Sequence, residues 1–229
     1  MYAEGDMNAK HFRWLFLPIA LYTLFRDYSK TIIIGSSVEL HDGEYHFAGG
    51  TEPKAIAIAL GIILLYGLFL LSASAKLGNP MTGVFRRLLA AILDFVLSMM
   101  AIVPIFGLVP TLMEWNRTGT FAWNFIRDTP ATYDGYVSFI LVILAFTCMA
   151  FYFALPLVLR LPSPGSCIMG YQIISEDGEG LTLGRALKRT AYGFKAVCTL
   201  YTVPFKPRDS ENGKFWLDEK FGTRAVKIG

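Results

Sequence analysis

Arg87 and Asp94 lie seven residues apart in one apolar run, RRLLAAILDFVLSMMAIVPIFGLVP, from Arg86 to Pro110. On a helix that spacing is almost two turns, so both side chains point the same way, about 10.5 Å apart along the axis. The run is long and hydrophobic enough to cross a bilayer, where a carboxylate costs at least ~2.5 kcal/mol unless it is neutralised or paired. Two uses of such an acid fit the residues. It can pair with Arg87 or another donor and fix helix packing, or it can change protonation during transport. The same face carries Gly83, Ala90, Ala91, Ser98 and Ala101, against Leu88, Ile92, Phe95 and Met99 opposite. Small and polar residues on one stripe let another helix come close, or line a wet cavity.

A second chemistry-bearing pattern is SVELHDGEYHF, in which Asp42-Gly43 is a two-residue hairpin signal. Folding about it pairs His41 with Glu44, Leu40 with Tyr45, Glu39 with His46 and Val38 with Phe47. Alternation then places Val38, Leu40, Tyr45 and Phe47 on one face and Glu39, His41, Glu44 and His46 on the other. Two His and two Glu could bind a divalent metal, but opposite-charge pairs across the strands explain the pattern without one and are preferred. All three histidines lie before Ala48, and no GxSxG, HExxH or Gly-rich phosphate loop is present. The expectation is therefore a protein that is not an enzyme and carries no cofactor.

The elements that must position these residues follow from composition. Of 229 residues 54% are hydrophobic and only 17% charged, against ~25% charge in an average soluble domain. The balance is that of a membrane protein, and a net charge of +3 is too small to imply nucleic acid. Cys148, Cys167 and Cys198 lack CxxC spacing, so neither a disulfide framework nor a zinc site follows from them.

Three segments pass the length test for ~30 Å of hydrocarbon: Lys54–Ala75, Arg87–Leu112 and Val137–Leu159. Pro104, Gly107 and Pro110 are expected to break or bend the outer end of the second. A fourth candidate, His11–Tyr28, is short and contains Pro18; it either crosses with snorkelling flanks or anchors in the interface, and crossing is favoured. Lys10 and Arg13 precede it, but no small-residue cleavage site follows, so it is expected to be retained. Lys76, Arg86 and Arg87 crowd one connection, and Arg160, Arg185, Lys188, Arg189 and Lys195 follow the last span. The positive-inside rule puts both groups, and the C-terminus, in the cytoplasm.

On that side YQIISEDGEGLTL reads as a second hairpin turning at Glu176-Asp177-Gly178. The following GRALKRTAYGFKAVCTLYTVPF begins helical, is too charged for a span and suits an interfacial helix. Pro207, Asp209, Asn212 and Gly213 then mark a polar linker before the tail FWLDEKFGTRAVKIG. The fold class expected is an all-α membrane protein, a polytopic bundle of four (alternatively three) transmembrane helices with small β-hairpins on each side.

Several ordered segments resemble the RDD family, bacterial membrane proteins named for an arginine and two aspartates. Arg86-Arg87-Leu88-Leu89-Ala90-Ala91-Ile92-Leu93-Asp94 is similar to the opening of the family's first core span. Ser163-Pro164-Gly165 with Gly170-Tyr171-Gln172-Ile173-Ile174 is similar to its post-span loop and hairpin, and Glu176-Asp177-Gly178 with Leu181-Thr182-Leu183-Gly184-Arg185-Ala186-Leu187-Lys188-Arg189 continues the likeness. Asp218 with Gly222-Thr223-Arg224-Ala225-Val226 resembles the closing motif that holds the second aspartate. Ser166 departs from the pattern, standing where the family usually has lysine.

The resemblance covers roughly residue 82 to the C-terminus, which divides the chain into an N-terminal region, 1–81, and an RDD-like domain, 82–229. It implies Arg87, Asp94 and Asp218 as an ion, proton or structural charge site, with Ser98, Thr223 and Arg224 in support. One arginine cannot neutralise two carboxylates, so if all three meet, the surplus negative charge invites a proton, a cation or a further base such as Arg224. Two functions follow as expectations. One is a transport-associated inner-membrane protein, acting as a homo-oligomer because four spans make a thin pathway. The other is an accessory or assembly subunit docked on other membrane proteins. The lipid bilayer is a partner in both, and nucleic acid in neither.

Overall fold

The computed structural model describes residues 7–25, 35–41, 44–74, 77–80, 84–127, 132–178, 180–198 and 216–228. In chain order the elements are β1 (Met7–Asn8), α1 (Ala9–Phe25), β2 (Gly35–His41), β3 (Glu44–Gly50), α2 (Pro53–Ser72), β4 (Ala73–Ser74) and β5 (Leu77–Pro80). There follow α3 (Val84–Thr118), β6 (Asn124–Arg127), α4 (Thr132–Val158), α5 (Pro164–Met169), β7 (Tyr171–Ser175), α6 (Leu183–Cys198), α7 (Trp216–Phe221) and β8 (Thr223–Ile228). The chain divides into two compact units, one of residues 1–22, 65–96 and 150–229, the other of residues 23–64 and 97–149.

Among the described residues three helices are long and apolar enough to cross a bilayer: Pro53–Ser72, Phe85–Thr118 and Tyr133–Val158. Pro53 opens α2 at the position where a missing N–H costs nothing. Helix α1 has 17 residues, about 25 Å, with Pro18 inside it.

Of the break or bend expected at Pro104, Gly107 and Pro110, the break does not occur: α3 continues as helix through both prolines to Thr118. Prolines are tolerated in apolar helices where side chains and neighbours satisfy the carbonyls they leave free. The Thr111 hydroxyl donates back to the Gly107 carbonyl at 3.1 Å, next to the Phe106 carbonyl that Pro110 leaves without its N–H. At 35 residues α3 is about 52 Å long, more than the hydrocarbon needs, so its last turns extend past it.

In the second unit, β2 and β3 run antiparallel with His41 opposite Glu44, Glu39 opposite His46 and Val38 opposite Phe47. The Asp42-Gly43 turn and the side chains of residues 35–45 lie outside the described residues. The sheet has a third strand: β6 adds to β3, with Gly49 opposite Phe125 and Gly50 opposite Asn124.

In the first unit, the hairpin expected over YQIISEDGEGLTL does not form. The turn after β7 is present, with Gly178 at φ 77°, but the chain leaves it for α6, and β7 pairs instead with the C-terminal β8. Leu181 explains the departure: it is buried with Ala154, Leu157 and Ala186, and its N–H donates to the Leu157 carbonyl at 3.4 Å. Burying Leu181 against the end of α4 draws the returning chain away from β7. The resulting sheet has the order β5-β8-β7, all antiparallel.

Candidate functional site

The Ser163-Pro164-Gly165-Ser166 turn builds the surroundings of Asp94. Ser163 is the N-cap of α5, extended at φ −67° and ψ 159°, and its hydroxyl accepts from the Ser166 N–H. Pro164 occupies the first helical position. Gly165 is then left with an N–H that has no partner inside the helix, and it donates to Asp94 Oδ1 at 2.7 Å. The Ser163 hydroxyl lies 2.5 Å from Asp94 Oδ2, and the Tyr152 hydroxyl donates to Oδ1 at 3.4 Å.

Asp94 is 3% exposed, and none of these donors carries a charge. Ser163 Oγ is also 2.9 Å from Ser166 Oγ, whose hydroxyl lies 2.9 Å from the Ser163 carbonyl. The donor order along these hydroxyls therefore reverses according to whether Asp94 carries a proton. A tyrosine stack supports the group, because Tyr66 packs its ring on Tyr152 at 4.7 Å and donates to the Tyr152 carbonyl at 2.6 Å.

Asp218 occupies a different environment. It sits in the first turn of α7 and is 1% exposed. Arg87 donates to its Oδ2, while Arg189 of α6 donates to Oδ1 at 2.8 Å and the Thr223 hydroxyl donates to the same oxygen at 3.0 Å. Arg189 also reaches Thr223 through Nε at 3.3 Å. Asp218 thus ties the start of α3 to α6, and the start of β8 to both. Among the described residues two guanidiniums face this one carboxylate.

The expected meeting of Arg87, Asp94 and Asp218 therefore resolves into two carboxylate environments in one unit. Asp218 takes the arginine partners, while hydroxyls and a backbone amide hold Asp94. Tyr171, at the start of β7, feels both. It is buried in a cluster with Ala90 and Ala225. Burial holds its phenol above the ordinary value and the Asp94 charge adds to this, while Arg87 and Arg189 oppose it. Burial likewise pushes the Cys167 thiol on α5 up to about 12, with Asp94 contributing; its Sγ lies 2.9 Å from the Ala9 carbonyl.

Of the supporting residues, Thr223 belongs to the Asp218 cluster, and Arg224 is exposed on β8 opposite Ile174. Ser98 is fully buried one turn further along α3, in the second unit. The cation that joins Arg87 is Arg189, signalled in sequence only by its place beside Ala186 on the apolar side of α6. Ser163 and Gly165 had a clearer signal, a Ser-Pro helix start of the kind that leaves amides unpaired. Of the four residues proposed for a metal, the side chains of Glu39, His41 and Glu44 lie outside the described residues; among the described residues no group of three metal-ligating side chains occurs.

A further charge cluster, in the second unit, escaped sequence reading. Arg127 at the end of β6 donates to Asp134 at 2.5 Å, lies 3.8 Å from Glu114, and stacks its guanidinium over the Phe47 ring at 5.1 Å. Its place on β6 and Asp134's in the first turn of α4 account for a pairing only seven residues apart in sequence.

Residues 81–208 match the model of the RDD family, more than half of the chain. No curated protein and no solved structure matches it. The matched segment contains Arg87, Asp94, Ser163, Gly165 and Arg189 but ends before Asp218, which the tertiary structure connects to Arg87 and Arg189.

Proposed function

The chain belongs to the RDD family, and from that premise we propose that this membrane protein takes part in transport of a proton or small cation, with Asp94 as the group that binds and releases it. The observation that carries the reading is a carboxylate 3% exposed within an apolar helix and held, among the described residues, by uncharged donors only. Such an acid gains most from a proton or a bare cation, because no guanidinium among its donors stabilises the anion. The Asp218 cluster holds α3, α6 and α7 together and keeps the start of α3 fixed while Asp94 changes state. In this reading the protein lies in the inner membrane with its C-terminus cytoplasmic, supported by Lys76, Arg86, Arg87, Arg160, Lys188 and Lys195 on one set of connections. Helix α1 supplies a fourth crossing and the working form is a homo-oligomer.

Flux tests the proposal. Vesicles holding purified protein and a pH-sensitive dye are given a sodium, potassium or proton gradient, with Asp94→Asn alongside. Transport by the native chain and loss in the variant are expected; equal flux in both removes the reading.

A second reading is an accessory subunit of a larger membrane complex. It is favoured by the apolar edge of the second unit, where Phe121, Trp123 and Ile126 are 41%, 39% and 67% exposed. Purification in mild detergent discriminates, since a solitary species without stoichiometric companions argues against it.

A further inference from the structure

Helix α6 carries no acidic residue, and its basic residues differ in burial. Arg189 is buried against Asp218. Arg185, Lys188, Tyr192 and Lys195 are exposed, and at 3.6 residues per turn they fall within about 80° of one another around the axis. The helix is held at the end of a span. Leu181 and Ala186 pack on Ala154 and Leu157 of α4, and Phe194 meets Phe153 edge-on at 5.2 Å. Phe153 is five residues, about 7.5 Å, from the last residue of α4, which is the depth of a headgroup layer. Through Arg189 and Asp218 the same helix is tied to Arg87 in the first turns of α3, another span. A stripe of cations with a tyrosine, fixed where two spans end, is complementary to anionic headgroups and to little else at that depth.

We infer that the exposed face of α6, through Lys188, Lys195 and Arg185, binds anionic phospholipid headgroups of the leaflet beside it. Arg185 is already braced, since its Nη2 donates to the Phe221 carbonyl at 2.7 Å. Tyr192 is braced on its other side by Lys220, 3.7 Å above the ring, and by Phe221 at 5.7 Å. A braced guanidinium and a braced ring lose little side-chain freedom on meeting a headgroup, which favours a defined lipid site over diffuse attraction. The inference does not depend on transport: it holds equally for an accessory subunit.

Native mass spectrometry of the full chain in dodecyl maltoside tests it, by comparing apparent dissociation constants for dioleoyl phosphatidylglycerol and dioleoyl phosphatidylcholine. Native protein should prefer the anionic lipid. Lys188→Gln with Lys195→Gln should weaken phosphatidylglycerol roughly 30-fold, about 2 kcal/mol at ~1 kcal/mol per cation, and leave phosphatidylcholine unchanged. Lys54→Gln, at the exposed start of α2, should change neither. Both α6 lysines are exposed, so the substitutions remove no buried side chain, and an unchanged melting temperature checks the fold; independently, about 0.5 M salt should erase the native preference. Equal affinity for the two lipids overturns the inference, as does a preference that survives the double substitution or salt. Displacement of the lipid by millimolar inorganic phosphate also overturns it, because the site would then be one for a free anion.

Discussion

Gly165 and Asp94 are joined at backbone distance. The Gly165 N–H donates to the carboxylate at 2.7 Å, and a Cβ on Gly165 would lie 2.2 Å from the Ala90 carbonyl oxygen and 2.9 Å from Asp94 Cγ. The α5 turn therefore meets α3 at a point where only glycine fits, and that contact keeps water from Asp94 on this side.

Gly165→Ala follows directly. The clash is with backbone, which cannot swing aside, so the variant should lose roughly 1–3 kcal/mol from overpacking. Gly184→Ala is the matched control, because a Cβ there meets nothing within 4 Å; it should be neutral or slightly stabilising. Thermal unfolding in detergent, followed by tryptophan fluorescence, compares them. Equal losses would mean that α5 does not press on α3.

Asp94→Asn and Asp94→Leu should separate structure from function. Asparagine keeps an oxygen for the Gly165 N–H and offers its amide to Ser163 Oγ, so stability should change by less than ~1 kcal/mol. Leucine leaves the Gly165 N–H buried without a partner, at a cost of roughly 1–3 kcal/mol. Equal melting temperatures for the two variants would show that the amide finds its partner elsewhere.

Asp218→Ala should be the most damaging substitution in the charge cluster. It takes the Asp218 carboxylate from Arg87 and Arg189, whose side chains are 14% and 9% exposed, and removing one side of a buried pair costs about 3–5 kcal/mol. Arg189→Met should cost less, since Arg87 still neutralises the acid. A reversed order in urea or thermal unfolding would show that Asp218 is solvated.

Cys167 should be silent to thiol reagents in the folded protein. With its thiol pushed up to about 12, the thiolate fraction at pH 8 is roughly one in ten thousand, against about a tenth for an ordinary thiol. Maleimide should label Cys167 only after denaturation in dodecyl sulfate, read by mass spectrometry. The linkage has a definite sign: between the ordinary thiol value near 9 and the folded value near 12, the native state holds the proton and the unfolded state has lost it. Stability from this group is complete below about pH 9 and declines as pH rises to 12. Labelling at pH 8 without denaturant would place the thiol at the surface.

Several elements were legible before any coordinates. The register of β2 with β3 follows from Asp42-Gly43 and alternation, because a two-residue turn and a period of two leave one pairing. The pairing of β7 was not legible. Its sequence neighbour after the turn and the distant β8 both offer an alternating strand, and the burial of Leu181 on α4 decides between them. The passage of α3 through Pro104 and Pro110 was equally hidden, since local rules weigh the lost N–H but not the apolar surroundings that keep the remaining bonds intact.

The chain alone determined that apolar helices long enough for a bilayer exist, and that an acid lies inside one of them. Those are local properties: hydrocarbon demands internally bonded backbone, and helical periodicity sets which residues share a face. Tertiary structure decided which cation meets which acid. Arg87 and Asp218 are 131 residues apart and Arg189 and Asp218 are 29 apart, so no spacing rule connects them. Asp94, on the same helix as Arg87, is held instead by a turn about 70 residues away, because the unpaired amide of α5 comes to rest against it.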